Sequence, residues 1–598
     1  MTVVRQRAVA LGPHDLEVIP LPGGGFAVRS PHRLEPYPRT MTDRLAHWAK
    51  VRPQTIFLAE RAGDGWRELS YGAALDAVRA VAQALLDRGC TPAAGVAILS
   101  ENGIDHALLA LGAQYAGIPY VPVSPPYAVL STDFAKLRHV FATFEPRLVY
   151  ARDAARFARA LTSDVVTPAM HVVLSDGTVD GRSSEPFSAL LATHITPAVQ
   201  AANARVNNDT VAKILFTSGS TGLPKGVINT QRMMCANQQM NVQAFPFFAE
   251  EMVMLDWSPW NHTAGSNQVF NMVLFNGGTL YIDDGKPTPA EFAKSLRNLR
   301  DVSPTVYFNV PRGYEELAGV LDGDAELRRT FFARLKMMWY AGAALSGPVF
   351  EHMRRLAIEE CGEEIMMTSG LGSTETAPSA TFANWHSQVS GNIGVPLPGV
   401  EMKLVPAGSK LEMRVRGPSI TPGYLNRDDL TRAAFDEDGY YRMGDALKPV
   451  DPNDFSAGFL FDGRIGEDFK LATGTWVSVG PLRTALLAQL APFVRDLVIC
   501  GQDQDYLSIL MIPDASAVAD EAAARAFVLE RLEAFAAANP GSSTHVRRAI
   551  FLDRPLSMDA GEITDKGSLN NAVIRERRRD FVEHLYSSLD HPAVIAIG

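Results

Sequence analysis

The sequence TSGSTGLPKG at residues 217–226 decides how the surrounding chain is interpreted. It follows the apolar run VAKILF and contains three glycines, four hydroxyl side chains and one lysine, Lys225. An apolar strand followed by such a loop is typical of a phosphate-binding site, because glycines let backbone N–H groups turn toward an anion. The hydroxyl groups add hydrogen-bond donors and the lysine adds a positive charge. The same stretch is compatible with a polar turn that leads into a helix beginning near Asn229 or Thr230.

The spacing within this stretch excludes a phosphate loop of the Walker A type. That motif has a glycine directly before its lysine and a serine or threonine directly after it. Here Gly226 follows Lys225, and Gly222 stands three residues before the lysine. A phosphate loop at this position therefore belongs to another class.

Composition restricts the kinds of protein that the chain can be. Its 598 residues are 46% hydrophobic and 20% charged, which is typical of a soluble globular protein with more than one domain. The formal net charge of −10 disfavours nucleic acid or an anionic membrane as the main partner, because phosphates would be repelled overall. A local positive pocket for a nucleotide is compatible with that charge.

The cysteine pattern and the apolar runs predict a cytoplasmic location. The four cysteines lie far apart and form no CxxC pair, so we expect neither structural zinc nor a disulfide framework. The N-terminus lacks the apolar core of a signal peptide. No apolar run reaches the length of about 18 residues that a membrane span needs.

The spacing of apolar residues predicts an α/β architecture for most of the chain. Residues 95–100 (GVAILS) and 118–123 (IPYVPV) are predicted strands, with a helical pattern at 101–117 between them. This order indicates parallel strand pairing. Further alternating elements are predicted at 70–89, 279–284, 291–300, 305–310 and 334–343. We expect residues 1–40, which are rich in proline and glycine, to form an extended arm over the surface.

The pattern of predicted strands and helices changes at residues 459–470 (FLFDGRIGEDFK), which predicts a second domain. We place a large domain at 1–462 and a small one at 463–598. The small domain combines short predicted strands with two helices, the second at 570–586, and fits one α+β unit. The run RERRR at 575–579 is interpreted as the solvated face of that last helix, because acidic residues interleave with it.

Five motifs in order identify a family resemblance. TSGSTGLPKG is followed by LGSTE (371–375), YRMGD (441–445), DGRIGEDFK (462–470) and EITDKGSLN (562–570). Together they resemble the adenylate-forming superfamily of acyl- and aryl-CoA ligases, peptide-synthetase adenylation domains and beetle luciferase. The resemblance implies an α/β, acyl-CoA synthetase-like fold, in which a large multi-subdomain N-terminal domain with parallel-rich sheets precedes a small mobile α+β domain.

The resemblance implies ATP, Mg²⁺ and coenzyme A as cofactors or co-substrates. Making an acyl-adenylate brings two anions together, so catalysis depends on positioning and on well-placed positive charge. The β- and γ-phosphates are expected to contact Thr217, Ser218, Gly219, Ser220, Thr221, Gly222 and Lys225. Glu375 and Thr221 are expected to hold Mg²⁺, a hard cation that takes oxygen ligands.

The resemblance also implies which residues contact the sugar, the base and the reacting carboxylate. Thr374 is expected to bond the α-phosphate, and Asp445 and Arg464 are expected near the ribose. The remaining cofactor contacts implied by the resemblance are Gly342, Ala343, Ala344, Gly372 and Lys470. His262 is expected beside the carboxylate, although a lone histidine is also compatible with a structural role.

Three departures from the family pattern bear on these assignments. Leu371 replaces the aromatic residue that usually stacks on adenine, so stacking is weakened or supplied elsewhere. Gly466 occupies a linker position that is usually aspartate or lysine, and glycine keeps the hinge role because it tolerates large backbone rotations. The lysine segment reads Asp565-Lys566-Gly567 instead of ending Gly-Lys, and Lys566 is expected to be the catalytic lysine.

Three longer segments narrow the resemblance to bacterial feruloyl-CoA synthetases, which activate hydroxycinnamic acids. These segments are residues 218–240, 467–483 and 559–570. Trp257, Trp260, Tyr340 and residues 341–344 are compatible with a pocket for a flat aromatic acid, and equally with core packing.

The end of the chain bears on the thiol acceptor. No carrier-protein segment follows Lys566, so we expect free coenzyme A as the acceptor. A monomer or homodimer is the expected assembly. Two alternatives stay open: a ligase for another aromatic or fatty acid or for a carrier-bound thiol, and a non-catalytic nucleotide-binding regulator. The joint presence of Glu375, Asp445 and Lys566 argues against the regulator.

Overall fold

The structure, a computed structural model, describes residues 4–218, 223–288, 290–514, 517–518, 520–564, 567–587 and 591–597. Within these residues a large domain is built mainly on four sheets, and a small domain with its own sheet follows. The last strand of the large domain, Asp454–Arg464, runs just past the predicted boundary at residue 462.

The first large sheet contains the predicted βαβ unit. Val96–Leu99 and Tyr120–Pro122 pair in parallel, and the buried helix Ile104–Tyr115 connects them. The neighbouring strands are all parallel except the last pair, in which Pro224–Thr230 is antiparallel to Val211–Ser218. In sheet order the strands are Glu185–Pro186, His171–Asp176, Leu148–Asp153, Val96–Leu99, Tyr120–Pro122, Val211–Ser218 and Pro224–Thr230.

Two further sheets combine parallel strands with antiparallel strands at one edge. The predicted strands at 279–284, 305–310 and 334–343 all form within them. The four-stranded sheet has the order Val253–Asp256, Thr279–Ile282, Ile56–Ala62 and Gly65–Ser70. The five-stranded sheet has the order Val306–Asn309, Met337–Tyr340, Met366–Gly372, Ser379–Phe382 and Val395–Pro396.

A six-stranded sheet is antiparallel throughout and takes in part of the N-terminal segment. Its order is Glu17–Pro20, Phe26–Arg29, Glu401–Ala407, Lys410–Arg416, Tyr441–Asp451 and Asp454–Arg464. A separate short strand, Arg5–Gln6, pairs in parallel with Glu363–Glu364. Residues 5–29 therefore contain extended, mostly exposed strands, as an extended surface arm predicts, and the structure adds that these short runs pair as strands of two sheets.

The helices of the large domain pack around these sheets. They are Met41–Val51, Tyr71–Asp87, Ile104–Tyr115, Pro125–Val129, Ala135–Phe144, Ala154–Leu161, Phe187–Leu191, Pro197–Arg205, Gln231–Ala244, Asn271–Asn276, Phe292–Asp301, Pro311–Leu321, Ala325–Phe332, Gly347–Cys361 and Asp428–Ala434. Short 3₁₀ turns form at Pro246–Ala249 and Thr374–Thr376, and Ala264–Phe270 is a π-helix. Over the described part of the chain, no helix combines the length and the apolar character that crossing a bilayer requires.

The small domain covers both faces of its sheet with helices. Its strands follow the order Val494–Cys500, Leu507–Pro513, Val546–Phe551 and Val594–Ala596, and a short hairpin pairs Phe469–Lys470 with Trp476–Val477. Its helices are Val479–Leu490, Glu521–Ala538, Asn571–Arg577 and Arg579–Tyr586. Side chains alternate along a strand, so Ile499 packs on the side of Leu486 and Leu532, while Val498 packs against Ile574.

The basic run at 575–579 is only partly the solvated helix face that the sequence predicts. Arg578 is buried at the break between the last two helices, where its Nε lies 2.6 Å from Glu562 Oε1. Its side chain is 7% exposed and that of Glu562 is 3% exposed. Acidic neighbours in sequence did not reveal this pairing, because the partner comes from a different segment.

The small domain also contacts the large one directly. Asp559 Oδ2 accepts hydrogen bonds from the backbone N–H and the hydroxyl of Thr132, both at 3.0 Å. Beside this contact, Lys136 Nζ donates to the carbonyl of Met558 at 2.6 Å. These bonds set how the segment that follows residue 558 lies against the large domain.

The buried pair in the small domain leads to a stability prediction. Glu562→Ala should lower the free energy of unfolding of this domain by about 3–5 kcal/mol, because it leaves the Arg578 guanidinium buried without its carboxylate. Denaturant unfolding monitored for the small domain measures the change. Asp553→Ala is the matched control: it removes an exposed pair with Arg554 and should cost less than about 1 kcal/mol. Equal losses in the two variants would contradict the prediction.

Candidate active site

A cavity of about 880 Å³ lies where the carboxyl ends of strands from three sheets approach one another. The five-stranded sheet contributes residues 339–344 and 369–375, which lie at and beyond the ends of two parallel strands. The hairpin of the first sheet contributes Thr217 and Lys225, and Ser568 of the small domain also reaches the lining. The carboxyl ends of parallel strands are where α/β sheets usually bind their ligands.

Many of the residues predicted from the motifs meet in this cavity. They are Thr217, Lys225, Gly342, Ala343, Ala344, Gly372, Thr374, Glu375, Asp445 and Arg464. Residues Gly219, Ser220, Thr221, Gly222 and Lys566 lie outside the described residues, as does the side chain of Ser218. His262 and Lys470 are described but are not part of the lining.

The opening stretch belongs to a β-hairpin and does not lead straight into a helix. Val211–Ser218 pairs with Pro224–Thr230, and the register sets Thr217 opposite Lys225. The following helix begins at Gln231, with the Thr230 hydroxyl accepting from the N–H of Met233. The turn-to-helix interpretation missed this second strand, whose pairing brings the lysine back beside the threonine.

Lys225, Tyr424 and Glu375 form a charged cluster in the cavity lining, in which Tyr424 and Glu375 are buried and Lys225 is partly exposed. Lys225 Nζ lies 3.1 Å from Glu375 Oε1 and donates to the Tyr424 hydroxyl at 2.7 Å. That hydroxyl donates in turn to Glu375 Oε1 at 2.9 Å. Burial raises the pKa of Glu375, but the Lys225 charge and these hydrogen bonds outweigh burial and hold the pKa below its ordinary value. Both partners are therefore charged at neutral pH.

Tyr424 was missed by the sequence reasoning. It lies 199 residues from Lys225 and 49 from Glu375, in a loop outside the five motifs. Its hydroxyl accepts from one partner and donates to the other, which is a role that a phenol can fill and a phenyl ring cannot. Nothing in its local spacing distinguishes it from other tyrosines of the chain.

Asp445 and Arg464 face each other on neighbouring strands of the six-stranded sheet. Burial raises the pKa of Asp445 to about 6, and the charge of Arg464 opposes that rise. Arg464 Nε lies 3.0 Å from Asp445 Oδ1, yet this oxygen forms no properly oriented hydrogen bond among the described residues. The carboxylate of this lining residue therefore keeps an acceptor that a ribose hydroxyl can satisfy.

Two glycines of the lining occupy backbone positions that other residues do not fit. A Cβ built on Gly372 would lie 1.7 Å from the Pro378 carbonyl oxygen, so no larger residue fits. Gly342 has a φ of 89°, a conformation that other residues rarely adopt. Thr374 and Glu375 follow Gly372 in a short 3₁₀ turn, which aims both side chains at the cavity.

The lining fits a nucleotide and one metal ion in chemical terms. Among the described residues, Thr217 Oγ1, Ser373 Oγ and Asp445 Oδ1 are buried polar atoms of the lining without a hydrogen bond, and a phosphorylated sugar can satisfy them. No cluster of three metal-ligating side chains occurs in the described part of the chain. Glu375 fits the pattern in which Mg²⁺ takes one or two carboxylates and completes its shell with phosphate oxygens and water.

The predicted residues near His262 do not line the cavity themselves. His262 stands before the π-helix Ala264–Phe270, and its Nε2 lies 3.4 Å from Asn261 Nδ2. Trp260 packs against His106, and Trp257 Nε1 donates to Asn309 at 3.1 Å. For the two tryptophans the structure favours core packing over a pocket for the acid. The role assigned to His262 stays a prediction.

The linker residues occupy separate positions. Lys470 is exposed on a short strand, with Nζ 5.7 Å from the Trp476 ring centroid. Gly466 lies in the turn after Asp454–Arg464, and a Cβ built on it would meet nothing within 4 Å. Leu371 lines the cavity where the family carries an aromatic ring, and exposed Phe461 lines the same cavity.

Comparison with protein-family models identifies both parts of the chain. Residues 45–425 match the model described as AMP-binding enzyme, and residues 468–590 match the AMP-binding enzyme C-terminal domain. The second match begins just after the end of the strand Asp454–Arg464.

Individual relatives are remote in sequence. A carboxylic acid reductase of Mycobacterium marinum is 25% identical over 88% of this chain, which spans only 47% of that protein. A 4-hydroxybenzoate/benzoate–CoA ligase of Rhodopseudomonas palustris is 27% identical over 74% of this chain and 78% of its own length. A probable CoA ligase of Humulus lupulus is 24% identical over 75% of this chain and 74% of its own length.

Solved structures share the fold. The adenylation domain of carboxylic acid reductase from Segniliparus rugosus, in complex with AMP and a co-purified carboxylic acid, superposes with a TM-score of 0.70. It is 20% identical and covers 92% of this chain and 94% of its own. An anthranilate CoA ligase in complex with anthranoyl-AMP also has a TM-score of 0.70, at 17% identity, covering 92% of this chain and 99% of its own.

The raised pKa of Asp445 predicts how nucleoside binding depends on pH. Adenosine, which has no phosphate to titrate, should bind fully above about pH 6 and about tenfold more weakly for each pH unit below it. The reason is that protonation removes the anionic acceptor for the ribose hydroxyls. Calorimetric titration from about pH 5 to about pH 7.5 measures the profile.

Asp445→Asn supplies the control for that profile. The amide has the shape of the carboxylate and does not titrate, so adenosine should bind the variant weakly and equally at every pH. A pH profile in the variant that equals that of the unmodified protein would show that another group causes the dependence.

Proposed function

Because the chain belongs to the AMP-binding enzyme family, we propose that it is an ATP-dependent ligase that joins a carboxylic acid to coenzyme A. The observation that carries the proposal is the single cavity that holds both the Lys225–Tyr424–Glu375 cluster and the acceptor of Asp445. The cluster can hold the phosphates of a nucleotide together with a cation, and Asp445 can bind the sugar of the same nucleotide.

In the first half-reaction a carboxylate oxygen attacks the α-phosphorus of ATP, and pyrophosphate leaves with the bonding electron pair. We assign Lys225 to the departing phosphates, because its charge is already held in the cavity by Glu375. The Thr374 hydroxyl donates a hydrogen bond to an α-phosphate oxygen. A Mg²⁺ ion on Glu375 would neutralise phosphate charge, which is the usual role of this metal in phosphoryl transfer.

In the second half-reaction the thiol of coenzyme A attacks the acyl carbon and AMP leaves. Lys566 acts in the first half-reaction, and the small domain then rotates about Gly466 to begin the second. Support for the hinge comes from the empty space around Gly466, where a built Cβ would meet nothing within 4 Å. His262 is assigned to the neighbourhood of the reacting carboxylate.

We propose a hydroxycinnamic acid such as ferulate as the substrate. The resemblance of three segments to feruloyl-CoA synthetases supports this choice. So does the presence of Phe308, Trp339 and Ile393 in the lining, since these side chains suit a flat apolar ring. The relatives named for 4-hydroxybenzoate, benzoate and anthranilate act on aromatic acids, which is consistent with it.

A second candidate is an adenylating enzyme that passes the acyl group to a carrier-bound thiol. The alignment with a carboxylic acid reductase over 88% of this chain favours it, as does the likeness to adenylation domains of such reductases. The two candidates share the first half-reaction and differ only in the thiol.

A product assay tests the proposal. The protein is incubated with ATP, Mg²⁺ and a panel of ferulate, p-coumarate, caffeate, acetate and palmitate, with and without coenzyme A. We expect AMP and pyrophosphate as products, with a higher kcat/KM for every hydroxycinnamate than for acetate or palmitate. Release of ADP and orthophosphate would contradict the reaction class. Adenylate formation without consumption of coenzyme A would favour the carrier-bound acceptor.

Tyr424→Phe provides a site-directed check on the same assay. Loss of its hydroxyl should lower kcat/KM for ATP by about tenfold or more, because hydrogen bonds to charged groups contribute about 1.5–3 kcal/mol. Tyr440→Phe is the matched control, since its hydroxyl bonds Glu401 outside the cavity lining. It should leave ATP use unchanged.

A further inference from the structure

The π-helix Ala264–Phe270 brings a buried glutamine to the cavity wall. Gln268 is 1% exposed and belongs to the lining. Its Oε1 accepts a hydrogen bond from the Ser379 hydroxyl at 2.9 Å, which orients the carboxamide. Its Nε2 is buried and makes no hydrogen bond with any described residue. π-Helices are rare and occur frequently at functional sites.

A second buried donor without a partner among the described residues belongs to the same lining. Trp339 is 4% exposed, lies on the strand Met337–Tyr340 and lines the cavity. Its ring is fixed between Phe308 and Phe382, with centroid distances of 4.7 and 5.0 Å. The indole Nε1 is buried and has no acceptor among the described residues. An indole N–H can only donate, so the missing partner must be an acceptor.

Two buried donors without partners in one cavity call for a ligand atom. Folded proteins satisfy almost all buried polar groups, because an unmade hydrogen bond leaves the desolvation of the donor uncompensated. Neither donor serves the fold, since each already has its other contacts. Both are neutral, so they suit an uncharged oxygen better than a second carboxylate. Phe308, whose ring packs against that of Trp339, and Ile393 are apolar members of the same lining.

We propose that Gln268 Nε2 and Trp339 Nε1 recognise an oxygen substituent on the ring of the acid. The inference rests on the proposed acid-activating function and adds the residues that set its specificity. A hydroxyl, methoxy or carbonyl oxygen at the end of the ring opposite the reacting carboxylate accepts from one or both N–H groups. Acids that carry such an oxygen are then favoured over acids of the same shape that lack it.

The discriminating experiment compares p-coumarate with 4-methylcinnamate, which replaces the ring hydroxyl by a methyl group of similar size. Acid-dependent AMP formation gives kcat/KM for each acid. The unmodified protein should prefer p-coumarate by about tenfold or more, since one neutral hydrogen bond is worth about this factor. Gln268→Met and Trp339→Phe should each lower the ratio of the two kcat/KM values by up to about tenfold, so that the two acids become nearly equal substrates. Both variants should keep their activity on 4-methylcinnamate.

Trp257→Phe is the matched control for the indole. Trp257 already donates to Asn309 and lies outside the cavity lining, so this variant should keep the full preference. A variant that loses activity on both acids equally has been damaged structurally and would overturn the specificity role of that residue.

The unmodified protein alone can also decide the question if the variants do not fold. Equal kcat/KM for p-coumarate and 4-methylcinnamate would overturn the inference while leaving the ligase proposal intact. Absence of AMP formation with every acid would instead refute the proposed function itself. If both variants keep the full preference for p-coumarate, other groups recognise the ring oxygen and the inference is wrong.

Discussion

The contact among Lys225, Tyr424 and Glu375 is the constraint on which the cavity depends. It joins the hairpin of the first sheet, the end of a strand in the five-stranded sheet and a loop that leads to the six-stranded sheet. Burying two opposite charges costs desolvation energy that their attraction does not reliably offset. The cluster is therefore better explained by a ligand that uses its charges than by a contribution to folding.

The cavity lining combines two kinds of chemistry. The cluster, together with Ser373 and Asp445, makes one part charged and rich in acceptors and donors. Phe308, Trp339 and Ile393 contribute apolar surface to the same lining, and Gln268 and Trp339 add neutral N–H donors. A nucleotide and an aromatic acid that meet in this cavity would bring a carboxylate to the α-phosphorus. Binding both reactants in this orientation holds the two anions in a reactive geometry, so that they need not meet by diffusion.

Sequence motifs predicted many of the residues that line the cavity, because each motif keeps these residues within a few positions of a strand end. Thr374 and Glu375 beside Gly372, and Asp445 after Tyr441, are examples. What the motifs could not reveal depends on pairing between distant segments. Tyr424 and the Arg578–Glu562 pair acquire their roles from partners in other segments. The strand Pro224–Thr230 was missed because its first residues, proline, lysine and glycine, resemble a polar turn. Gln268 was missed for a related reason, since a π-helix changes which side chains share a face.

The central claim is that an oxygen of the acid bonds to the α-phosphorus of ATP. The most direct measurement uses ferulate with both carboxylate oxygens replaced by ¹⁸O, incubated with the protein, ATP, Mg²⁺ and coenzyme A, followed by mass spectrometry of the nucleotide product. Attack on the α-phosphorus and later cleavage of the acyl C–O bond should leave one labelled oxygen in AMP and none in pyrophosphate. Label in orthophosphate, with unlabelled nucleotide, would mean attack on the γ-phosphorus and would contradict the account.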